Sequence, residues 1–146
     1  MGVSIKTISC CCTRPPCRRC RRSRFFGRFD VAEDQDQKIA ACGSSYIKPG
    51  MELHIHELSV RQQFQGQGAG RKLLLTALEH ADKRKLHSLT LTTFRDLPWN
   101  EPFYRRFGFE TLSPAEIGPR LTSVLNNEIN HGLPGERRCA MRLKLR

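Results

Sequence analysis

The chain has 146 residues, enough for one domain with a real core, and 38% of them are hydrophobic. No apolar run approaches the roughly 20 residues that a membrane helix requires, which excludes a helical membrane-spanning protein. Twenty-five basic against 14 acidic residues give a net charge of +11, but residues 1–29 hold eight of the basic residues and no acid, so the remainder is nearly balanced.

Residues 1–24 form a leader rich in arginine and cysteine, without helical or strand periodicity. We expect it to be poorly ordered, with the folded domain spanning residues 25–146. Five of the seven cysteines are here: Cys10, Cys11, Cys12, Cys17 and Cys20. Their odd total and crowded spacing argue against a disulfide framework and for a reducing setting, the cytoplasm. Cys17 and Cys20 have the spacing of half a zinc site, but no second pair and no nearby His completes it, so no metal is expected. Arg21 and Arg22 are not followed by the apolar segment of an export signal, and Lys6 stands where a myristoylation site needs Ser or Thr. An acid-free arginine run also suits a transit peptide or electrostatic attraction to nucleic acid, neither of them specifically.

From Phe25 onward the pattern becomes regular. A strand around residues 29–32, a polar turn at 33–37 and a second strand over 39–46 read as a β-hairpin. Residues 53–60, LHIHELSV, alternate: Leu53, Ile55, Glu57 and Ser59 point one way, and His54, His56, Leu58 and Val60 the other. A glycine-dense turn follows, and then a helix reaching to about Lys85. Leu74, Ala77, Leu78 and Ala81 recur at helical spacing, and Leu73 and Leu75 widen the stripe. Residues 88–94, SLTLTTF, read as a strand, and strand–helix–strand order implies a parallel crossover. Pro102 suits the first turn of a short helix running to Arg106, which Phe107-Gly108-Phe109 ends. An extended run at 110–112, a helix within 114–130 and a last strand over 138–145 complete the chain.

The turn carries the chemistry. Gly66, Gly68 and Gly70 let the backbone bend sharply, and amides at a helix start lack internal partners while the helix dipole adds partial positive charge. Arg71 and Lys72 add formal charge, so the junction suits a phosphate. A dinucleotide loop starting at Gly66 needs a small residue at Arg71, and a Walker loop needs Ser or Thr after Gly-Lys; both fail here.

The QGQGAG box at residues 65–70, followed one helix and one strand later by DLPWNEPFYRRFGFETL at residues 96–112, resembles the GNAT superfamily of N-acetyltransferases. The resemblance implies an α/β fold: a mixed, mostly antiparallel twisted sheet with a central parallel splayed strand pair, flanked by helices. It implies acetyl-CoA as co-substrate, its pyrophosphate on the backbone amides of Gln65, Gly66, Gln67, Gly68, Ala69, Gly70 and Arg71. The strand end at Leu58 to Val60 would pair with pantetheine, and the amide of Leu58 or Val60 would polarise the thioester carbonyl. Asn100 matches the family's cofactor-contacting Asn, and Tyr104 the tyrosine that protonates the departing thiolate; a packed core tyrosine is the plain alternative.

An acceptor must be a neutral amine to attack, so an ammonium has to lose a proton. Glu57 is the first candidate for base or water holder, with His54 and His56 as alternatives. No covalent intermediate is required, so Cys42 and Cys139 read as small apolar residues. Trp99 and Phe94 line an acceptor pocket or belong to the core. The implied activity is direct acetyl transfer to a small-molecule or protein amine. Family members usually supply a first strand and two helices before the hairpin, and those helices form much of the acceptor site; the leader is Cys- and Arg-rich rather than amphipathic. A non-catalytic CoA-binding regulator is therefore the alternative. A homodimer stays open, nucleic acid enters only through the leader, and no membrane partner is expected.

Overall fold

The computed structural model describes residues 4–8, 27–33, 39–48 and 52–145, with the backbone alone before residue 52. The chain divides into two compact units, residues 1–86 and 87–146.

In the first unit, β1 (Ser4–Ile8), β2 (Gly27–Glu33), β3 (Ile39–Lys48) and β4 (Glu52–Val60) pair antiparallel in chain order. The expected hairpin is β2 and β3. A strand as early as β1 was not expected: Ser4 pairs with Glu33 and Ile8 with Phe29. Five residues are too few for a period of two to stand out, and strand formation depends on the partner more than on local propensity. Cys10, Cys11, Cys12, Cys17 and Cys20, with the rest of residues 9–26, lie outside the described residues.

β4 departs from the strict alternation its sequence suggests. Ser44 pairs with Glu57 and Ser45 with Ile55, so His56 is an extra residue opposite β3. Such a bulge kinks the strand and re-aims side chains, so a face assignment made before His56 does not carry past it. Leu53, His54 and Ile55 are all buried, while His56 is exposed.

The helix α1 (Ala69–Lys83) packs on β2, β3 and β4. Ala69, Leu73, Ala77 and Ala81, four residues apart, bury one stripe, and Leu74 beside them is fully buried. Burying a leucine of this kind contributes about 2–3 kcal/mol. Leu75, expected to widen the stripe, is on the solvent side at 38% exposure. The helix closes with Lys85 in the left-handed region at φ 53° and the Leu86 amide donating to the Ala81 carbonyl at 3.0 Å.

The second unit holds β5 (Ser88–Phe94), α2 (Asn100–Arg105), β6 (Glu110–Thr111), α3 (Pro119–Asn130) and β7 (Arg138–Lys144). β7 pairs antiparallel with both β5 and β6. Ser88, Leu89, Thr90, Leu91 and Thr93 are buried, so β5 is covered on both faces. α2 packs on β5 and β6, and α3 on β7. Only Leu121 of α3 is buried. Val124 and Leu125 are half-buried, and polar side chains tie the helix as well: Arg138 donates from Nε and Nη2 to the two oxygens of Glu128, each at 3.1 Å, and Arg120 Nη2 donates to Thr90 Oγ1 at 3.0 Å. Among the described residues no helix is long and apolar enough to cross a membrane, and no three His, Cys, Asp or Glu side chains gather as metal ligands.

Candidate active site

One group of the expected site residues lies in the first unit, at the β4–α1 junction. β4 ends at Val60, a 3₁₀ turn occupies Gln62–Phe64, and the chain then enters α1 through Gly66 at φ 75° and Gly68 at φ 83°. A side chain at either glycine would meet nothing within 4 Å, so it is the left-handed backbone, not crowding, that demands glycine here. Gly70 is different: it sits inside the first turn of α1.

That first turn has no side-chain cap and no acidic residue, and it carries Arg71 and Lys72. The Lys72 amide donates to the Gly68 carbonyl at 3.0 Å, and the first amides of any α-helix lie ahead of its own ladder. Dipole and formal charge therefore add to make this end positive. Two glutamines brace the loop from within: Gln65 Nε2 donates to the Val60 carbonyl at 3.4 Å and Gln67 Nε2 to that of Gln63 at 3.1 Å. The Gln65 amide donates to the Gln62 carbonyl at 3.2 Å, which sets it apart from the other amides expected to face an anion. Leu58 and Val60 are partly buried against Ala69 and Leu73, which ties the strand end to the helix start.

Of the three candidate bases, His54 is 1% exposed and His56 is exposed at the bulge. Glu57 lies in β4 opposite Ser44, and its side chain lies outside what the structure describes. The side chain of Cys42 is likewise outside the described residues.

The other group lies in the second unit, on α2. Asn100 is its first residue and is half-buried, with its amide donating to the Leu97 carbonyl at 3.1 Å. Tyr104, one turn on, is 8% exposed and packs edge-on against Phe103 and Phe109, with ring centroids 5.1 and 5.8 Å away. Burial pushes its phenol up to about 12, against a smaller opposing pull from the Arg138 guanidinium. Gly108, at φ 93°, turns the chain out of α2 while its amide and that of Phe109 cap the Arg105 and Tyr104 carbonyls at 2.9 and 3.3 Å. Trp99 is not core, being 67% exposed, and Phe94 lies under the guanidiniums of Arg138 and Arg137, 4.6 and 5.4 Å from its ring centre.

Two groupings near α2 have no clear sequence signature. Glu128 of α3 holds Arg138 of β7 beside Thr92, and Glu101 of α2 accepts a hydrogen bond at 3.3 Å from the thiol of Cys139. Cys139 is buried as expected, but it is more than a small apolar residue. Burial first, and the Glu101 hydrogen bond second, push its thiol up to about 12, so it keeps its proton and is no nucleophile.

A strand, a left-handed glycine turn and a basic helix start without acid or side-chain cap define an α/β protein with a positive loop at the head of α1. A model of the GNAT acetyltransferase family matches residues 5–109, more than half of the chain, and the chain belongs to that family. Its fold is accordingly α/β, with parallel and antiparallel strands in a mixed sheet flanked by helices. It is similar to a GNAT family acetyltransferase from Elizabethkingia anophelis with acetyl-CoA bound, at 18% identity over 98% of each chain and a TM-score of 0.73. It is also similar to the IAA acetyltransferase from Bacillus cereus, at 18% identity over 99% of this chain and 100% of that one, TM-score 0.70. A Bacillus subtilis acetyltransferase in complex with CoA matches at 19% identity over 82% of this chain and 78% of its own, TM-score 0.65.

Proposed function

We propose that the chain is an acetyl-CoA-dependent N-acetyltransferase that transfers the acetyl group directly to an amine. The observation that carries this reading is the start of α1: a left-handed glycine entry, no acid, no side-chain cap, and Arg71 and Lys72 in the first turn. It is what a pyrophosphate needs. In the reaction so read, the amides of residues 66–71 hold the pyrophosphate, with Gln65 bracing the loop through its side chain. Leu58 and Val60 offer backbone to pantetheine, and Asn100 contacts the co-substrate.

The amine nitrogen attacks the thioester carbonyl, the C–S bond breaks, and the sulfur leaves with the electron pair. Before attack the ammonium gives up a proton. Glu57 or His56 suits that step better than His54, whose burial separates it from bulk water. Tyr104 meets the departing sulfur. A thiolate whose thiol titrates near 8.5 is a weaker base than a phenolate at about 12, so full transfer from Tyr104 is uphill by about 5 kcal/mol. Tyr104 therefore acts by donating a hydrogen bond to the developing charge, and the thiol's proton comes in the end from the amine.

The test is release of free thiol from acetyl-CoA in the presence of amines, peptides and aminoglycosides. Release with at least one acceptor, saturating in acetyl-CoA, is the expected result. Binding of CoA by calorimetry without release for any acceptor would leave a CoA-binding regulator, and absence of both would exclude this reading altogether.

A further inference from the structure

The helix that carries Asn100 and Tyr104 is six residues long. Helices that short do not hold themselves together in water, so α2 owes its position to contacts with its surroundings. Its N-cap, Trp99, makes no side-chain capping bond. The C-terminal end is fixed by the packing of Tyr104 on Phe109 and by the Gly108 turn. At the other end, besides the Asn100 amide on the Leu97 carbonyl, Glu101 ties the first turn to β7 through its side chain. Glu101 Oε1 accepts from the Cys139 thiol at 3.3 Å, while Oε2 accepts from Arg105 Nη2 at 3.4 Å on the following turn.

Cys139 is a firm point to anchor to. It is 1% exposed, sits in β7 and pairs in register with Thr93 of β5, which is itself buried. A thiol is a weak donor, but the carboxylate's charge strengthens the bond, and a misplacement of reacting groups by about 1 Å costs rate steeply. Glu101 lies one residue after Asn100 and three before Tyr104, so tilting the first turn displaces both.

The geometry points to Glu101 and Cys139 as a pin that positions the first turn of α2, and through it Asn100 and Tyr104, for acetyl transfer. Both are positioning residues, and the inference rests on the reading of Tyr104 given above. Because the thiol stays protonated across the physiological range, it never becomes an anion that would repel the carboxylate.

Kinetics of the full chain with acetyl-CoA and an accepted amine test this through Cys139→Ala, Cys139→Ser, Glu101→Gln and the double variant Glu101→Gln/Cys139→Ala, each checked for folding by circular dichroism. Cys139→Ala is expected to lower kcat about tenfold with little change in KM for acetyl-CoA. Cys139→Ser, which keeps a donor, stays within about twofold of the parent. The double variant is no worse than the weaker single one, because two members of one contact are not additive. A parental kcat in Cys139→Ala, or equal losses in the Ala and Ser variants, overturns the pin.

Failure of the underlying reading looks different. Tyr104→Phe with full activity, or no turnover with any amine, removes the catalytic reading, and the pin is then judged by the fluorescence anisotropy of Trp99, the chain's single tryptophan, at the start of α2. Lower anisotropy in Cys139→Ala but not in Cys139→Ser supports it, and unchanged anisotropy in both overturns it.

Discussion

The starts of α1 and α2 solve the same problem in opposite ways. Every helix begins with amides that have no partner in the turn before them. α1 leaves that end positive: it enters through a left-handed glycine, has no acid in its first turn, and places Arg71 and Lys72 there. α2 supplies its own negative charge in Glu101 and spends it on neighbours, Cys139 and Arg105. The first carries no acid of its own, as the proposed anion site requires, and the second carries Glu101, which is taken up by its neighbours. One end works through backbone and the other through side chains. Substitutions should therefore act on α1 by changing φ or charge, and on α2 by removing particular atoms.

The largest effect is expected on the side-chain side. Tyr104→Phe removes one oxygen from a buried ring and leaves the edge-on packing with Phe103 and Phe109 intact. If the phenol donates a hydrogen bond to the leaving sulfur, kcat falls about 100-fold while KM for acetyl-CoA changes little. An unchanged kcat would mean that Tyr104 is only core.

The same group makes a prediction about stability. Its folded value of about 12 lies above the ordinary 10. The unfolded chain therefore loses this proton first, and stability present below pH ~10 is lost as the pH rises towards ~12. Two units correspond to about 2.7 kcal/mol. Urea titrations of the parent and of Tyr104→Phe between pH 9 and 12 should diverge, with the Phe variant losing less. Parallel curves would show that Tyr104 is not as desolvated as its burial implies.

Much of this was legible in the sequence, and the residues show why. The glycine entry reads from composition because only glycine adopts φ near +80° cheaply, and α1 reads from the four-residue recurrence of Leu73, Ala77 and Ala81. The family follows from two boxes at a fixed separation. What did not read is what depends on partners distant in the chain. β1 exists through its pairing with β2. The bulge at His56 is set by β3, and no alternation within residues 53–60 reveals it. Glu101 and Cys139 stand 38 positions apart, and the contact between them is invisible until β7 returns to β5. Leu75 faces solvent because α1 buries a narrower stripe than its leucines suggest.

A smaller effect is expected from the backbone side. Gly68→Val forces a β-branched residue into the left-handed region, where nothing crowds its side chain. The cost is strain alone, about 1–2 kcal/mol. If the loop keeps its shape, that cost appears as a lower melting temperature. If the loop relaxes instead, it appears as about tenfold weaker CoA binding by calorimetry. Either outcome marks the loop as a backbone device, whereas a variant with unchanged melting and unchanged CoA binding would remove the contrast with α2.

The smallest effect sharpens the same contrast from its other end. Asp96 and Arg137 form an ion pair just beyond β5, four residues before Asn100, with side chains 43% and 48% exposed. The hydrogen bond from Arg137 holds the Asp96 carboxyl below its usual range. Whatever that pair adds to stability is present above the ordinary carboxylate pKa and lost as the pH falls through the lowered one. Water and salt screen an exposed pair, so Asp96→Asn should leave the melting temperature, kcat and KM at their parental values at pH 7. Glu101 makes the telling comparison: a carboxylate of the same charge, five residues along, whose partner Cys139 is buried. Equal losses in Asp96→Asn and Glu101→Gln would mean that charge near the start of α2 matters and its attachment does not. A loss confined to Glu101→Gln assigns the effect to the anchor.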